Sequence, residues 1–421
     1  MIMRNCRIVR PEGILKGSIE ISRGKIKRLS GSSPKSGESI DGGGALLFPG
    51  LIDPHVHLRD PGSIHKEDFF TGTCAALAGG YTAVMDMPEY SNPATTTAKA
   101  LTEKEASASK KAVCDFHIRM GASDRNFQEI RKASPASLKF FTAETKSELT
   151  ITDYSTMARH FASFPRGKPI CIHAEDQGVI DSLSKKYPDF TRARGPLVAA
   201  IALAKVLALQ KESNRRIHVC HISTELEIEL LKDAEKNVTW EVTPHHLFLD
   251  TRDYKKLGAF GKMNPPLRAP GERAALWKNI GMWGMIGTDH APHLKKEKES
   301  NNPPSGVPGL ETALPLLIDA CLSGKLRITK IPELCSRRPA KAFGLKRKGE
   351  LKPGFDADFV LVDPNETTVI KGEKLFTKCK WSPFEGRKLK GKIKRVFLRG
   401  NEVYRDGEGI LAKPGFGKKV L

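Results

Sequence analysis

The run Ala45-Leu46-Leu47-Phe48-Pro49-Gly50-Leu51-Ile52-Asp53-Pro54-His55-Val56-His57-Leu58-Arg59-Asp60-Pro61-Gly62 is the stretch from which the fold is read. As a strand it places His55 and His57 at i and i+2, so both imidazoles leave the same face. Two histidines on one face, at the end of a strand, offer converging nitrogen donors on rigid backbone, which is what a divalent metal requires. A lone His-x-His also occurs on ordinary solvated strands, so the remaining candidate ligands decide the matter.

Outward from this run, between about residues 51 and 345, apolar strand-like stretches alternate with amphipathic helical ones such as Phe70–Ala78 and Pro196–Gln210. Eight strands are predicted: Gly50–Leu58, Tyr81–Pro88, Cys114–Met120, Ser137–Thr142, Pro169–Ala174, Arg216–Ile222, Val238–Thr243 and Gly284–Asp289. Eight alternating units predict an α/β fold, a (β/α)8 TIM-like barrel. The alternative is a doubly wound open sheet, but no Gly-x-Gly-x-x-Gly follows the first strand. Ionisable residues recur where these strands end: His55 and His57, Lys139, His173, His221, Glu241 and Asp289. In a barrel those ends open onto one face, where active sites are built. Scattered core histidines have no reason to share that end of several strands, so a metal site is predicted.

Four histidines, a carboxylate and a lysine exceed the three or four ligands of a single zinc and suit two metals sharing a bridge. Lys139 cannot bind as an ammonium, which only donates. As a carbamate, formed with carbon dioxide, it presents two oxygens, one per metal. An ordinary salt-bridging lysine is the alternative, against which its neighbours Leu138, Phe140 and Phe141 speak.

Both chain ends differ from this middle. Residues 1–50 hold short strands (Asn5–Val9, Gly17–Ile21 and Lys25–Leu29) separated by Gly and Pro, and short strands return after about 346, at Ala357–Asp363 and Ile393–Gly400. Residues 1–50 and 346–421 are therefore predicted to form one small β-sandwich beside the 51–345 catalytic barrel. No run of 18 or more uncharged apolar residues is present, so no membrane span is expected. The N-terminus Met1–Cys6 lacks the apolar core of a secretory signal, and eight scattered cysteines without a Cys-x-x-Cys pair favour free thiols in a reducing cytoplasm. The net charge of +21 raises nucleic-acid binding, with 19 basic against 10 acidic residues in 346–421 alone. No nucleic-acid motif accompanies it and the aromatics do not interleave with basic residues, so a solvated lysine-rich surface is the preferred explanation. The sequence leaves the oligomeric state open, a homodimer included.

Several motifs resemble the amidohydrolase superfamily, and within it the dihydroorotase family of its cyclic amidohydrolase branch. They are His55–Gly62, Lys66-Glu67-Asp68, Ala78-Gly79-Gly80-Tyr81-Thr82, Met263–Arg268, Gly287-Thr288-Asp289-His290-Ala291-Pro292-His293 and Val307–Pro315, with Pro353–Asp358 and Ser382–Gly386 beyond the barrel. The resemblance implies a barrel flanked by a β-sandwich and the reversible conversion of N-carbamoyl-L-aspartate to L-dihydroorotate in pyrimidine synthesis. It implies two Zn2+ per subunit, one on His55, His57 and Asp289, the other on His173 and His221, bridged by carboxylated Lys139. A water shared by two zinc ions loses its proton near neutrality, and Asp289 would carry that proton to the leaving nitrogen. For the substrate, the resemblance implies Arg59, His293 and an Asn after strand two at the α-carboxylate, with Asn264 and the backbone of Pro308 and Gly309 reading the ring amides.

The chain departs from the family twice. Where members carry Met-Pro-Asn-Thr-x-Pro, it has Met87-Pro88-Glu89-Tyr90-Ser91-Asn92-Pro93, one residue longer. Glu89 would repel a substrate carboxylate, so Asn92 is expected to take the Asn role. After Arg194-Gly195-Pro196 the usual helical glutamate is replaced by Ala199-Ala200, with a packing consequence only. Cys220 and Glu241 are expected to be a buried thiol and a carboxylate that orients a ligand histidine, a third metal position shared with His55 being the alternative. His245 and His246 are expected to be structural, and Leu294–Ser305 a solvated polar loop. Two alternatives remain: a hydantoinase- or allantoinase-type cyclic-amide hydrolase, against which Arg59 and His293 argue, and a non-catalytic dihydroorotase-like protein.

Overall fold

Alternating side chains govern the chain ends and continuous apolar runs govern the middle, and each pattern produces its own sheet. The structure is a computed structural model that describes residues 1–31, 38–89, 94–144, 149–281 and 284–421. The N-terminal strands are β1 (Ile2–Arg10), β2 (Gly13–Ser22), β3 (Lys25–Ser30), β4 (Ser39–Asp41) and β5 (Leu46–Pro49). The middle contributes β6 (Leu51–Val56), β7 (Tyr81–Asp86), β8 (Asp115–Ile118), β9 (Met120–Gly121), β10 (Leu138–Phe141), β11 (Ile170–His173), β12 (Ile217–Val219), β13 (Val238–Val242) and β14 (Gly284–Ile286). The C-terminal part adds β15 (Phe359–Val369), β16 (Lys388–Leu398), β17 (Asn401–Arg405) and β18 (Gly409–Ile410).

Both chain ends share one sheet, ordered β18-β17-β16-β15-β5-β1-β2-β3 with β4 on β1. The seam is β5 against β15, antiparallel, Leu46–Pro49 facing Phe359–Val362. Alternation along this seam divides the side chains. Leu46, Phe48, Val360 and Val362 join the large core shared with the middle of the chain; Leu47, Phe359 and Leu361 join a second core with Met3, Ile8, Ile19 and Phe397.

Each of the eight predicted middle strands has a counterpart, all parallel, in a three-stranded sheet β6-β7-β8 and a six-stranded sheet from β9 to β14. The predicted third strand is broken at Arg119 into β8 and β9. The Arg119 guanidinium is fully buried and donates to the carbonyls of Pro54 (2.6 Å) and Met85 (3.2 Å). At the other gap, a single parallel bridge joins Val56 to His290, and His57 N–H donates to His290 O at 2.9 Å. Among the described residues the hydrogen-bonded ladder is therefore two arcs rather than one continuous ring.

Helices lie between the strands. Phe69–Ala78 starts at a capping box built on Asp68 and ends at Gly79, where a Cβ would lie 2.1 Å from Leu310 O, so glycine is required there. The stretch Phe190–Ser213 is long and apolar enough to span a bilayer by composition. Its residues Val198, Ala202, Leu203 and Val206 are buried, however, and Lys205 pairs with Asp176 at 2.7 Å. The Leu294–Ser305 segment differs from the solvated loop expected. It carries a short helix, Lys295–Lys298, and Lys298 is fully buried, its ammonium donating to the carbonyls of Lys262, Pro304 and Gly306 at 2.9–3.1 Å. One buried ammonium gathers three carbonyls, which overrides the polar sequence around it.

Candidate active site

The C-terminal ends of the parallel strands converge on a cavity of about 510 Å³ whose wall includes His55, His57, Lys139, His173, His221, Asn264 and Asp289. His55 is the penultimate residue of β6 and His57 lies just beyond it, their rings 5.2 Å apart. Asp289, three residues past β14, brings Oδ1 to 2.9 Å from His57 Nε2 and 3.3 Å from His55 Nε2. His173 ends β11 and meets His221 across a 2.9 Å contact between Nδ1 and Nε2. The His221 ring stands 5.4 Å from that of His55. Lys139, on β10 and fully buried, holds Nζ 2.9 Å from Cys220 Sγ.

The backbone is bent to make this possible. Arg59, His221 and Asp289 adopt positive φ (63°, 38° and 48°), a left-handed conformation uncommon for residues with a side chain and concentrated at functional sites. Asp53 holds the junction. Its carboxylate accepts from His55 N–H (3.0 Å), Thr288 N–H (3.1 Å) and the Thr288 hydroxyl (2.5 Å), tying β6 to the segment that carries Asp289. Burial pushes the Asp53 carboxyl up to about 7 against these bonds.

Three of the four histidines have a carboxylate behind them. His55 Nδ1 contacts Glu241, which also accepts from His218 Nε2 at 2.9 Å. His57 Nδ1 lies 2.7 Å from Glu89 Oε1. His173 Nε2 lies 3.0 Å from Glu175, itself paired with Arg194. In each case the carboxylate engages one ring nitrogen and leaves the other aimed at a facing ligand candidate. This is how ligand histidines are oriented in metal sites. The electrostatics agree. Despite burial, His55 and His57 hold Asp289 well below the usual carboxylate range, and Arg194 and His173 hold Glu175 down to about 2. Burial, with His173, His55 and Lys139 nearby, pushes His221 well below its ordinary value, leaving it neutral with a lone pair to offer. Donor atoms of His55, His221 and Asp289 lie within 4.8 Å of one another, as do those of His55, Cys220 and Glu241. Convergent lone pairs around Lys139, three of the four rings backed by a carboxylate, fit a metal.

The expected substrate contacts are divided. Asn264 is in the cavity wall and accepts from the Ser305 hydroxyl at 3.2 Å. Arg59 and His293 are buried side by side, with Arg59 Nη2 3.3 Å from His293 Nε2 and Arg59 Nε donating to Pro292 O. Neither is among the residues lining the cavity, nor are Pro308 and Gly309. Gly309 N–H donates instead to His290 Nδ1 at 3.2 Å. Asn92 lies outside the described residues. Glu89, expected only to repel, is buried in the cavity wall against His57. Two site residues escaped sequence reasoning: Asp53, whose signal was a carboxylate inside an apolar strand, and Glu175, two residues past His173. His246 is structural as expected, linked to Thr243 and to Pro265 O.

Residues 46–403 match the amidohydrolase family. The chain belongs to that family. This amidohydrolase is 36% identical over 418 residues to a dihydroorotase of Methanothermobacter thermautotrophicus, covering 96% of this chain and 94% of that one. A dihydroorotase of Pyrococcus horikoshii is 37% identical over 407 residues, covering 96% and 91%. The multifunctional protein CAD of Squalus acanthias is 39% identical over 404 residues, 93% of this chain but only 16% of that protein. Among solved structures, an L-hydantoinase (dihydropyrimidinase) from Arthrobacter aurescens superposes with a TM-score of 0.95 at 29% identity, covering 100% of the amidohydrolase and 99% of that chain.

Proposed function

We propose that this amidohydrolase is a dihydroorotase, interconverting N-carbamoyl-L-aspartate and L-dihydroorotate. The observation that carries this is near-full-length kinship with archaeal dihydroorotases, joined to a cavity that gathers the six expected side chains. The two parallel arcs form the (β/α)8 barrel over 51–345, and the chain ends form its β-sandwich. Eight free thiols suit the cytoplasm.

The family uses a metal, and the donor set fits two zinc ions: His55, His57 and Asp289 would hold one, His173 and His221 the other. Bound metal would supply Lewis-acid polarisation of the ring carbonyl and a nucleophile at neutral pH. Lys139 would bridge after its neutral amine adds to carbon dioxide, forming an N–C bond and losing a proton. The protein supplies orientation and proton transfer. Glu241, Glu89 and Glu175 fix the rings of His55, His57 and His173. Asp289, kept ionised by its two histidines, takes a proton from the attacking water and delivers it to the amide nitrogen that leaves. In the reverse direction the same carboxylate removes the ureido proton. Asn264 sits where it can pair with ring amide groups that would otherwise be buried without partners.

Turnover of L-dihydroorotate measured beside hydantoin and allantoin tests this. Ring opening of dihydroorotate is expected, and activity confined to hydantoin and allantoin would reject it.

A further inference from the structure

We propose that Phe416–Leu421 is a removable closing strand, docked on the outer edge of β8, that holds both halves of the metal site in place. The barrel ladder breaks between β8 and β9, which leaves β8 at the edge of the three-stranded arc. An edge strand presents N–H and C=O groups that another extended segment can take up. The C-terminal segment takes them. Phe116 N–H donates to Lys418 O (2.9 Å), Val420 N–H donates to Phe116 O (3.0 Å), and Phe116 forms a parallel bridge with Lys419. Lys418 N–H also donates to Asp115 Oδ1 and Gly417 N–H to Ala112 O, each at 2.9 Å. Lys418 and Lys419 are themselves exposed, so recognition runs through the backbone, as when an extended peptide adds to a sheet.

Two features fix the register. A Cβ at Gly417 would lie 2.0 Å from Cys114 O, so only glycine passes there. Arg399, paired with Asp115 on β8, donates to Phe416 O at 2.7 Å and anchors the start of the segment. Past the bridge, Val420 and Leu421 pack against the apolar cluster that includes Met85, Cys171 and Cys220. Cys220 is the residue before His221. On the other side, β8 runs into Arg119, whose guanidinium holds the carbonyl of Pro54, the residue before His55. The closing strand thus reaches one ligand candidate of each proposed zinc: His55 through Arg119 and Pro54, and His221 through Cys220.

The test uses the full chain carrying Gly417→Val, a shortened chain ending at Lys413, and a fluorescent peptide of residues 414–421. Zinc affinity, read by competition with a chelator, should fall by about tenfold or more in both variants, the scale of losing outer support for ligand histidines. The shortened chain should bind the peptide saturably and regain zinc affinity with it, whereas wild type, its edge already occupied, should not bind it. Lys418→Ala, which alters only an exposed side chain, should match wild type. A shortened chain that folds only once the peptide is added supports the proposal equally. Wild-type zinc affinity in either variant, or a shortened chain indifferent to the peptide, overturns it. Peptide capture needs neither zinc nor substrate. A wild-type chain without zinc binding or dihydroorotate turnover therefore sinks the dihydroorotase assignment, and peptide capture alone then decides this proposal.

Discussion

Replacing Glu241 by glutamine should weaken metal binding by one to two orders of magnitude without touching any proposed ligand. The Glu241 carboxylate is fully buried and fixed on all sides. One oxygen faces His55 Nδ1, the other accepts from His218 Nε2 at 2.9 Å, and His221 N–H approaches at 3.4 Å. A Cβ at Gly287 would lie 2.4 Å from Oε2, so the position opposite must be glycine for the carboxylate to fit. Although burial opposes ionisation, His55 and His218 hold the group well below the carboxylate range. In Glu241→Gln one oxygen becomes an NH2 donor and faces an N–H donor. If that histidine is His55, the only relief is a tautomer switch that puts the proton on Nε2, the atom aimed at Asp289. Losing one charge-assisted bond costs about 1.5–3 kcal/mol. Carboxylates behind ligand histidines are worth about 10–100-fold in metal affinity, roughly 1.4–2.8 kcal/mol. The two figures coincide. Zinc affinity of the metal-stripped protein, measured by competition with a chromogenic chelator, checks it, with thermal unfolding of the stripped variant confirming the fold. A variant that binds zinc within twofold of wild type would refute the reasoning.

Asp289→Asn preserves shape but removes the proton carrier, so turnover in both directions should fall by about 10²–10⁴ while circular dichroism is unchanged; a loss under tenfold would contradict the role. Asp250, a buried helix cap, is held down to about 2 by bonds to Arg252 and by Arg273, against an ordinary value of 3.8. A depressed folded value gives stability that is present above about pH 4 and lost as pH falls through about 2, worth about 2 kcal/mol. Asp250→Asn still caps the helix, so its deficit in urea unfolding should be near that size at pH 6, shrink to roughly a few tenths of a kcal/mol at pH 2 and vanish only below it.

The strands were legible because each is a continuous apolar run bounded by turns, as strands buried on both faces must be. The cavity was legible because ionisable residues sat at the ends of those runs, where a buried charge has no structural purpose. What could not be read was set by distant contacts. Arg119 breaks its strand because Pro54 O and Met85 O lie within reach of its guanidinium. Lys298 is buried because the carbonyl of Lys262 and two from the loop that follows it, Pro304 and Gly306, converge on it. Glu89 was expected to do nothing but repel, since no local pattern shows that His57 Nδ1 waits 2.7 Å away. Arg59 and His293 were expected at the substrate carboxylate; that they contact each other, held by Pro292 O and Ser305 O, while neither lines the cavity is a tertiary arrangement no local pattern shows.

The decisive measurement is L-dihydroorotate turnover by metal-stripped protein titrated with zinc in bicarbonate, run beside Lys139→Ala. Activity should climb to a plateau at two zinc ions per wild-type chain, with the variant binding less metal and staying inactive. Full occupancy and full activity in Lys139→Ala, or no wild-type activity at any loading, would contradict a paired-metal dihydroorotase.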